Sequence, residues 1–192
     1  MEQNRYYYSM CALFTALIAI GAYIRVPIPV VPFTLQFLFT NLAGLLLGRR
    51  SGMLAVEAYV LLGLAGMPIF AGGGGLSYIF QPTFGYILGF VLGTGAAGVW
   101  VQRASVLSLK TYLQAGIVNL LIVYLLGLAW FYVVTLYITG TPIAIGHLLW
   151  FGFALAVPGD LLLCVCGAVL AVRLQRAAMF PVYRQKQEAG LS

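Results

Sequence analysis

Charge is scarce in this sequence. Only 7% of its 192 residues are Asp, Glu, Lys or Arg, and four of these are acidic. Soluble domains carry about a quarter charged residues, so a soluble enzyme, a soluble DNA-binding protein and a disordered chain are excluded together. Histidine occurs once, at His147, and lysine twice, at Lys110 and Lys186. Neither lysine follows a glycine-rich run, so the G-x-x-x-x-G-K-[ST] phosphate loop is absent, and ATP hydrolysis by that route with it. One histidine and three cysteines do not make a zinc or haem site. Cys11, Cys164 and Cys166 lie in apolar segments without disulfide spacing, and are expected to be buried and inert. Gly75-Leu76-Ser77-Tyr78 lacks the second glycine of a nucleophile elbow, and His147 reads as a surface or capping residue. No catalytic residue, metal or cofactor is expected, and the chain is not expected to be an enzyme.

What the sequence has in abundance is apolar length. Apolar residues make up 62% of the chain and mean hydropathy is +1.01. A helix needs about 20 apolar residues to cross a bilayer. Six such spans would take about 120 of the 192 residues and leave roughly 72 for connections and tails, too few for a folded domain in water. Apolar runs between polar or Pro/Gly breaks predict spans at 7–24, 33–48, 52–67, 82–102, 112–138 and 147–172. The second and third are short and are expected to be tilted or partly sunk in the bundle. The run from Met10 to Ile24 behind Arg5 mimics a signal peptide, but the span count needs it as a retained helix. The expected fold is an all-α polytopic membrane protein, one six-helix transmembrane domain over 1–192.

The net charge of +6 and pI of 9.4 would point to nucleic acid in a soluble chain. Here the basic residues sit in short loops beside apolar segments, where they set topology. With both termini cytoplasmic, nine of the ten basic residues face inward and only Arg25 faces outward. The predicted orientation is therefore N-in/C-in. Trp130, Phe131, Tyr132, Tyr137, Trp150 and Phe151 cluster at the outer ends of the last two spans, as an interfacial belt or as walls of a pocket. Small residues recur every fourth position: Ala12 and Ala16 on the first span, and Gly85, Gly89, Gly93 and Ala97 on the fourth. Such faces let helices approach closely in lipid, and packing within the bundle is the expected role of the fourth-span stripe.

Two acidic residues fall inside spans, each costing about 2.5–3.5 kcal/mol at mid-bilayer on insertion scales. Glu57 lies about two turns from Arg49 and Arg50 and is expected to pair with one of them at the interface. Asp160 lies near the middle of its span, after Pro158 and Gly159, which weaken the helix. A carboxylate beside broken backbone is a natural acceptor for a ligand's N–H groups. The outer loops converge on the same end. Pro27, Pro29 and Pro32 stiffen the first, which leads into Phe33-Thr34-Leu35-Gln36. Gly72, Gly73, Gly74 and Gly75 in another let backbone approach a ligand unobstructed. With Gln36, Tyr78, Tyr86, Trp130 and Asp160 nearby, these segments predict an outward-facing pocket with aromatic walls and few polar groups. It suits a mostly apolar ligand carrying some hydrogen-bonding groups.

Val31-Pro32-Phe33-Thr34-Leu35-Gln36 followed by Leu42-Ala43-Gly44-Leu45-Leu46-Leu47-Gly48 resembles the second-span region of the BioY family. These are biotin-specific substrate-binding (S) components of energy-coupling factor (ECF) transporters. The run from Gly66 through Gly75-Leu76 and Tyr78 to Pro82-Thr83-Phe84-Gly85-Tyr86-Ile87-Leu88-Gly89-Phe90 resembles the family's glycine-loop signature. Pro158-Gly159-Asp160 resembles its last-span motif, and Ala12-x-x-x-Ala16 the motif by which S components dock onto the transmembrane coupling (T) subunit. The resemblance runs through essentially the whole chain.

The resemblance implies an S-component bundle that binds biotin and borrows energy from two ATPase subunits through the T subunit, in a prokaryotic cell membrane. It implies that Asp160 accepts from the ureido N–H groups and that Gln36 adds a polar contact. It further implies that Tyr78, Tyr86 and Trp130 wall the bicyclic ring, while the glycine loop gates the site. Phe33, Thr34, Gly74 and Gly75 complete the implied contacts, and Tyr124, Asn119 or backbone N–H groups are candidates for the carboxylate. In many family members a lysine follows the motif's aspartate by three residues; here that position is Leu163. The alternatives are an S component for another vitamin and a self-sufficient small secondary transporter.

Overall fold

The computed structural model describes residues 2–26, 33–140, 143–175 and 180. Pro27, Pro29, Pro32, Arg176, Arg184 and Lys186 lie outside the described residues. Helix α1 runs Glu2–Tyr23, and a two-residue antiparallel ladder follows, β1 (Arg25–Val26) against β2 (Phe33–Thr34). Next come α2 (Gln36–Leu64), a 3-10 turn (Leu76–Phe80), α3 (Phe84–Arg103) and α4 (Leu109–Val133), which runs on as a π-helical turn (Val134–Ile138). A short α5 (Ile145–Leu149) leads through a second π-helical turn (Trp150–Ala154) to α6 (Val157–Gln175).

Among the described residues, four helical segments are long and apolar enough to cross a membrane: Arg5–Tyr23, Phe84–Arg103, Leu109–Ile138 and Ile145–Gln175. The protein is a multi-pass, mostly helical membrane protein. Where spans at 33–48 and 52–67 were predicted, the chain forms the single run α2, interrupted at Gly48, while Phe33 and Thr34 are strand residues. Gly48 holds φ 77° and ψ −172°, a region essentially reserved for glycine. The chain folds back there. In a straight helix, residues 43 and 52 would stand about 13.5 Å apart at 1.5 Å per residue. Instead, a Cβ on Gly52 would lie 2.9 Å from the Ala43 carbonyl oxygen. The first half of α2 is sunk in the bundle: every residue from Thr40 to Gly48 is buried.

Glycine sets how closely the helices pack. A Cβ on Gly89 would come within 2.7 Å of Val123 Cα, and one on Gly93 within 2.1 Å of Asn119 Oδ1, so this stripe of α3 is the seat of α4. Gly98, on another face of α3, would bring a Cβ to 2.4 Å from the Arg49 backbone nitrogen at the α2 reversal. Thr94 adds a hydrogen bond, its hydroxyl donating to Thr40 O at 3.0 Å. With little hydrophobic drive between helices in lipid, such close backbone packing and interhelical hydrogen bonds hold a bundle together. Leu121 and Leu125 on α4, Leu61 on α2 and Leu162 on α6 point outward and are exposed, as a lipid-facing surface requires.

The core divides by residue size. Near the Gly48 end it is built largely of small and aliphatic residues, including Ala43, Ala55, Ala97, Ala115, Ala168 and Ala171. Toward the other end it is ring-rich, with Phe37, Tyr59, Phe70, Tyr78, Phe84, Tyr86, Phe90 and Tyr124. Small side chains close a seam completely; large planar rings, held apart by their own bulk, leave room between them. The pocket lies among the rings.

Candidate functional site: an aromatic pocket with one carboxylate

The pocket opens at the ring-rich end, opposite the Gly48 reversal. Its wall takes Phe33 and Thr34 from β2, Gln36 and Phe37 from the start of α2, and Ala71, Tyr78 and Thr83 from the α2–α3 connection. Tyr86, Ile87 and Phe90 come from α3, Val123 and Tyr124 from α4, and Ala156 and Asp160 from the start of α6. Together they surround about 590 Å³ of non-protein space, open mouth included.

Among the described residues, Asp160 is the one charged side chain in this wall. It stands in the first turn of α6 and, as predicted, near the middle of its span: the run Ile145–Gln175 passes through the π-helical turn Trp150–Ala154 before α6 begins at Val157. Pro158 is tolerated there because first-turn N–H groups have no helical partner. The Tyr124 hydroxyl donates to Asp160 Oδ2 at 2.6 Å, a short hydrogen bond that fixes the carboxyl group. Tyr124 is itself held edge-on between two rings, Tyr86 at 5.9 Å and Phe153 at 5.1 Å between centroids. The Tyr86 hydroxyl donates to Gly152 O at 2.8 Å, tying α3 to the π-helical turn before α6. Tyr78 and Thr83 share a hydrogen bond at 3.3 Å. Phe33 lies over Gly159, where a Cβ would meet its ring at 2.5 Å.

Seven of the sequence-predicted residues thus share one wall: Phe33, Thr34, Gln36, Tyr78, Tyr86, Tyr124 and Asp160. Gly74, Gly75 and Trp130 are not in it. A Cβ on Gly74 would lie 2.1 Å from Met67 O, and Gly75 N–H donates to Gly63 O at 2.7 Å, so these glycines clamp the loop to the end of α2. Gly75 does so at φ 98° and ψ 166°, again glycine territory. Trp130 packs behind the wall, against Phe84 at 6.1 Å and over Gly85. The glycine loop is further fixed by side chains: Tyr23 donates to Pro68 O, Tyr59 to Ile69 O at 3.1 Å, and Arg25 to Ala71 O. Asn119 is fully buried, bonded to Asn41 Oδ1 at 3.2 Å and absent from the wall.

Other expectations sort as follows. Ala12 and Ala16 lie on the exposed face of α1, whereas Cys11, Phe14, Thr15 and Ile18 form its buried face. Glu57 lines a surface recess with Arg49 and Arg50 but makes no ion pair among the described residues. Cys11 and Cys164 are buried, but Cys166 faces outward. His147 is exposed and stacks on Phe151. Of the aromatic cluster, Tyr132, Tyr137 and Trp150 face outward while Phe131 is buried.

The BioY family model matches residues 4–180. The chain belongs to the BioY family. Among its relatives, a probable biotin transporter BioY of Lysinibacillus sphaericus is 39% identical over 167 residues, covering 87% of this chain and 85% of the relative. The biotin transporter BioY of Thermotoga maritima is 40% identical over 165 residues, covering 85% and 92%. A crystal structure of the S-component for biotin from an ECF-type ABC transporter superposes with a TM-score of 0.77 at 25% identity, over 91% of this chain and 93% of that one. Sequence reasoning missed the BioY pocket's apolar wall, Phe37, Ala71, Ile87, Phe90, Val123 and Ala156, and the polar Thr83. Apolar residues of an apolar helix carry no sign of which way they point.

Proposed function

We propose that this chain is the biotin-binding S subunit of an ECF-type uptake transporter in a prokaryotic cell membrane. It captures biotin at the aromatic end of the bundle and delivers it with an ATP-driven coupling module. The observation that carries this reading is Asp160, a carboxyl group held by Tyr124 in a ring-lined pocket with no other charged side chain among the described residues. Biotin offers matching chemistry: ureido N–H donors for the carboxylate and an apolar bicyclic ring for Phe33, Tyr78 and Tyr86. Gln36 and Thr34 add polar contacts. Gly74, Gly75 and Trp130 serve as supports, fixing the loop and backing the wall.

In this reading the chain crosses the membrane six times. The Gly48 reversal turns α2 into two short passes, and α1, α3, α4 and α5–α6 supply four more. The positive-inside distribution puts both termini in the cytoplasm and the pocket outside. The chain performs no reaction and needs no cofactor; ATP is used only by two ATPase subunits, reached through a T subunit that docks on Ala12 and Ala16. Purification followed by mass spectrometry of co-purifying small molecules, with competition by biotin, thiamine, riboflavin and pantothenate, tests the ligand. Displacement by another vitamin but not by biotin would overturn the assignment. Uptake into proteoliposomes lacking any ATPase subunit would overturn the coupling.

A further inference from the structure

The end of the bundle opposite the pocket carries a recess of its own. Gly98 lets α3 pass so near the α2 reversal that a Cβ there would lie 2.4 Å from the Arg49 backbone nitrogen. That nitrogen donates to Gln102 Oε1 at 3.3 Å. The seam brings Arg49 and Arg50, which follow the Gly48 turn, beside Arg103 in the last turn of α3, and the three line one cavity with Gln102. All three arginines are exposed. Glu57 lies in an adjoining recess with Arg49 and Arg50, but neither cavity lined by Arg103 holds a carboxylate among the described residues. Like charges gathered in one recess repel, and an anion that bridges them relieves the repulsion.

A second, apolar groove opens from this recess. Ala96, Val99, Trp100 and Arg103 recur at i, i+3, i+4 and i+7 and so form one stripe of α3. Gln114 and Val118 of α4 line the groove across from them. Val99 and Arg103 belong to both cavities, so an apolar wall and a cluster of positive charge meet there. Trp100 is 43% exposed in the groove, three residues before Arg103; an indole so placed suits the boundary between lipid tails and headgroups. The groove lies between α3 and α4, whereas α1, which carries Ala12 and Ala16, packs on α2.

We infer that this end of the chain binds an anionic phospholipid, its phosphate held by Arg103 with Arg49 and Arg50 and an acyl chain laid in the α3–α4 groove. The junction of the two cavities selects an amphiphile. A soluble anion would fill the recess and leave the groove empty; a purely apolar molecule would do the reverse. Guanidinium forks match phosphate oxygens two at a time, and basic pockets between membrane helices hold anionic headgroups. The site stands apart from the aromatic pocket and does not depend on which ligand that pocket takes.

The test titrates the purified full-length chain in detergent with phosphatidylglycerol and, separately, with phosphatidylcholine of the same acyl length, read by native mass spectrometry. Phosphatidylcholine has the same phosphate but no net charge, so wild type is expected to bind phosphatidylglycerol more tightly. Arg103→Gln is expected to weaken phosphatidylglycerol about 5-fold, the contribution of one arginine near a headgroup, and to leave phosphatidylcholine nearly unchanged. Ala96→Trp fills the groove without altering charge and should weaken both lipids; if that variant fails to fold by thermal unfolding, Gln114→Trp fills the groove from α4. Equal affinity of wild type for the two lipids, or an unchanged phosphatidylglycerol affinity in Arg103→Gln, would overturn the site. Binding weakened by Arg103→Gln but untouched by the folded groove-filling variants would make the recess a plain anion site and overturn the lipid assignment. Loss of ATP-driven uptake in Arg103→Gln at unchanged lipid affinity would give the recess to a protein partner instead.

Discussion

The Tyr124 hydroxyl donates to Asp160 Oδ2 at 2.6 Å, joining α4 to the first turn of α6 at the pocket wall. Hydrogen bonds to charged groups contribute about 1.5–3 kcal/mol, and here the bond also aims the carboxylate. If Asp160 is the acceptor proposed for the N–H groups of biotin, Asp160→Asn is expected to weaken biotin binding by at least about 10-fold. Tyr124→Phe leaves the carboxylate but frees it to rotate, and should cost less, about 3- to 10-fold. Isothermal titration of both variants against wild type decides it; wild-type affinity in Asp160→Asn would remove Asp160 from the site.

Ala12 and Ala16 are exposed on α1, away from the pocket. Replacing either with Trp adds bulk to a surface that the folded monomer does not use. Biotin binding by the isolated chain should be unchanged, while ATP-driven uptake by the assembled transporter should be lost. Full uptake with Trp at both positions would show that no partner seats there.

Gly48 holds a backbone conformation that side chains disfavour by about 1–3 kcal/mol. Gly48→Ala is expected to lower thermal stability in detergent by a cost of that order. Gly89→Val should be worse, because its branched side chain would collide with the Val123 backbone, 2.7 Å from an added Cβ. A melting temperature unchanged from wild type in Gly89→Val would mean that the α3–α4 seam is looser than its geometry.

Asn41 and Asn119 are fully buried and bonded to each other at 3.2 Å, joining α2 to α4 between close-packed glycines. Interhelical polar pairs in membranes contribute about 0.6 kcal/mol on average and up to about 1.7. A double-mutant cycle with Asn41→Leu and Asn119→Leu, read by unfolding in mixed micelles, should give a coupling energy in that range. Zero coupling would make the pair incidental to stability.

Much of the site was legible because chemistry stands out in an apolar chain. Asp160, Gln36, Tyr78, Tyr86 and Tyr124 are conspicuous against Leu, Val and Ile, and they do share a wall. Trp130 is equally conspicuous but sits behind the wall, because Gly85 draws α4 close to α3 at that point. Gly74 and Gly75, expected in a loop over the site, pack against the end of α2. A glycine run in sequence does not distinguish backbone freed for a ligand from backbone packed against a neighbour.

By itself the sequence determined the solvent. Scarce charge and long apolar runs leave the bilayer as the only medium that suits this chain, and its arginines and lysines gather at the segment ends. The tertiary structure alone decided the rest. In a soluble helix, amphipathicity marks the inward face; here both faces are apolar, so helix rotation is set by which small residues let neighbours approach. That is why the reversal at Gly48, the outward turn of Ala12 and Ala16, and the inner wall of Phe37, Ile87, Phe90 and Val123 emerge only when the helices are packed.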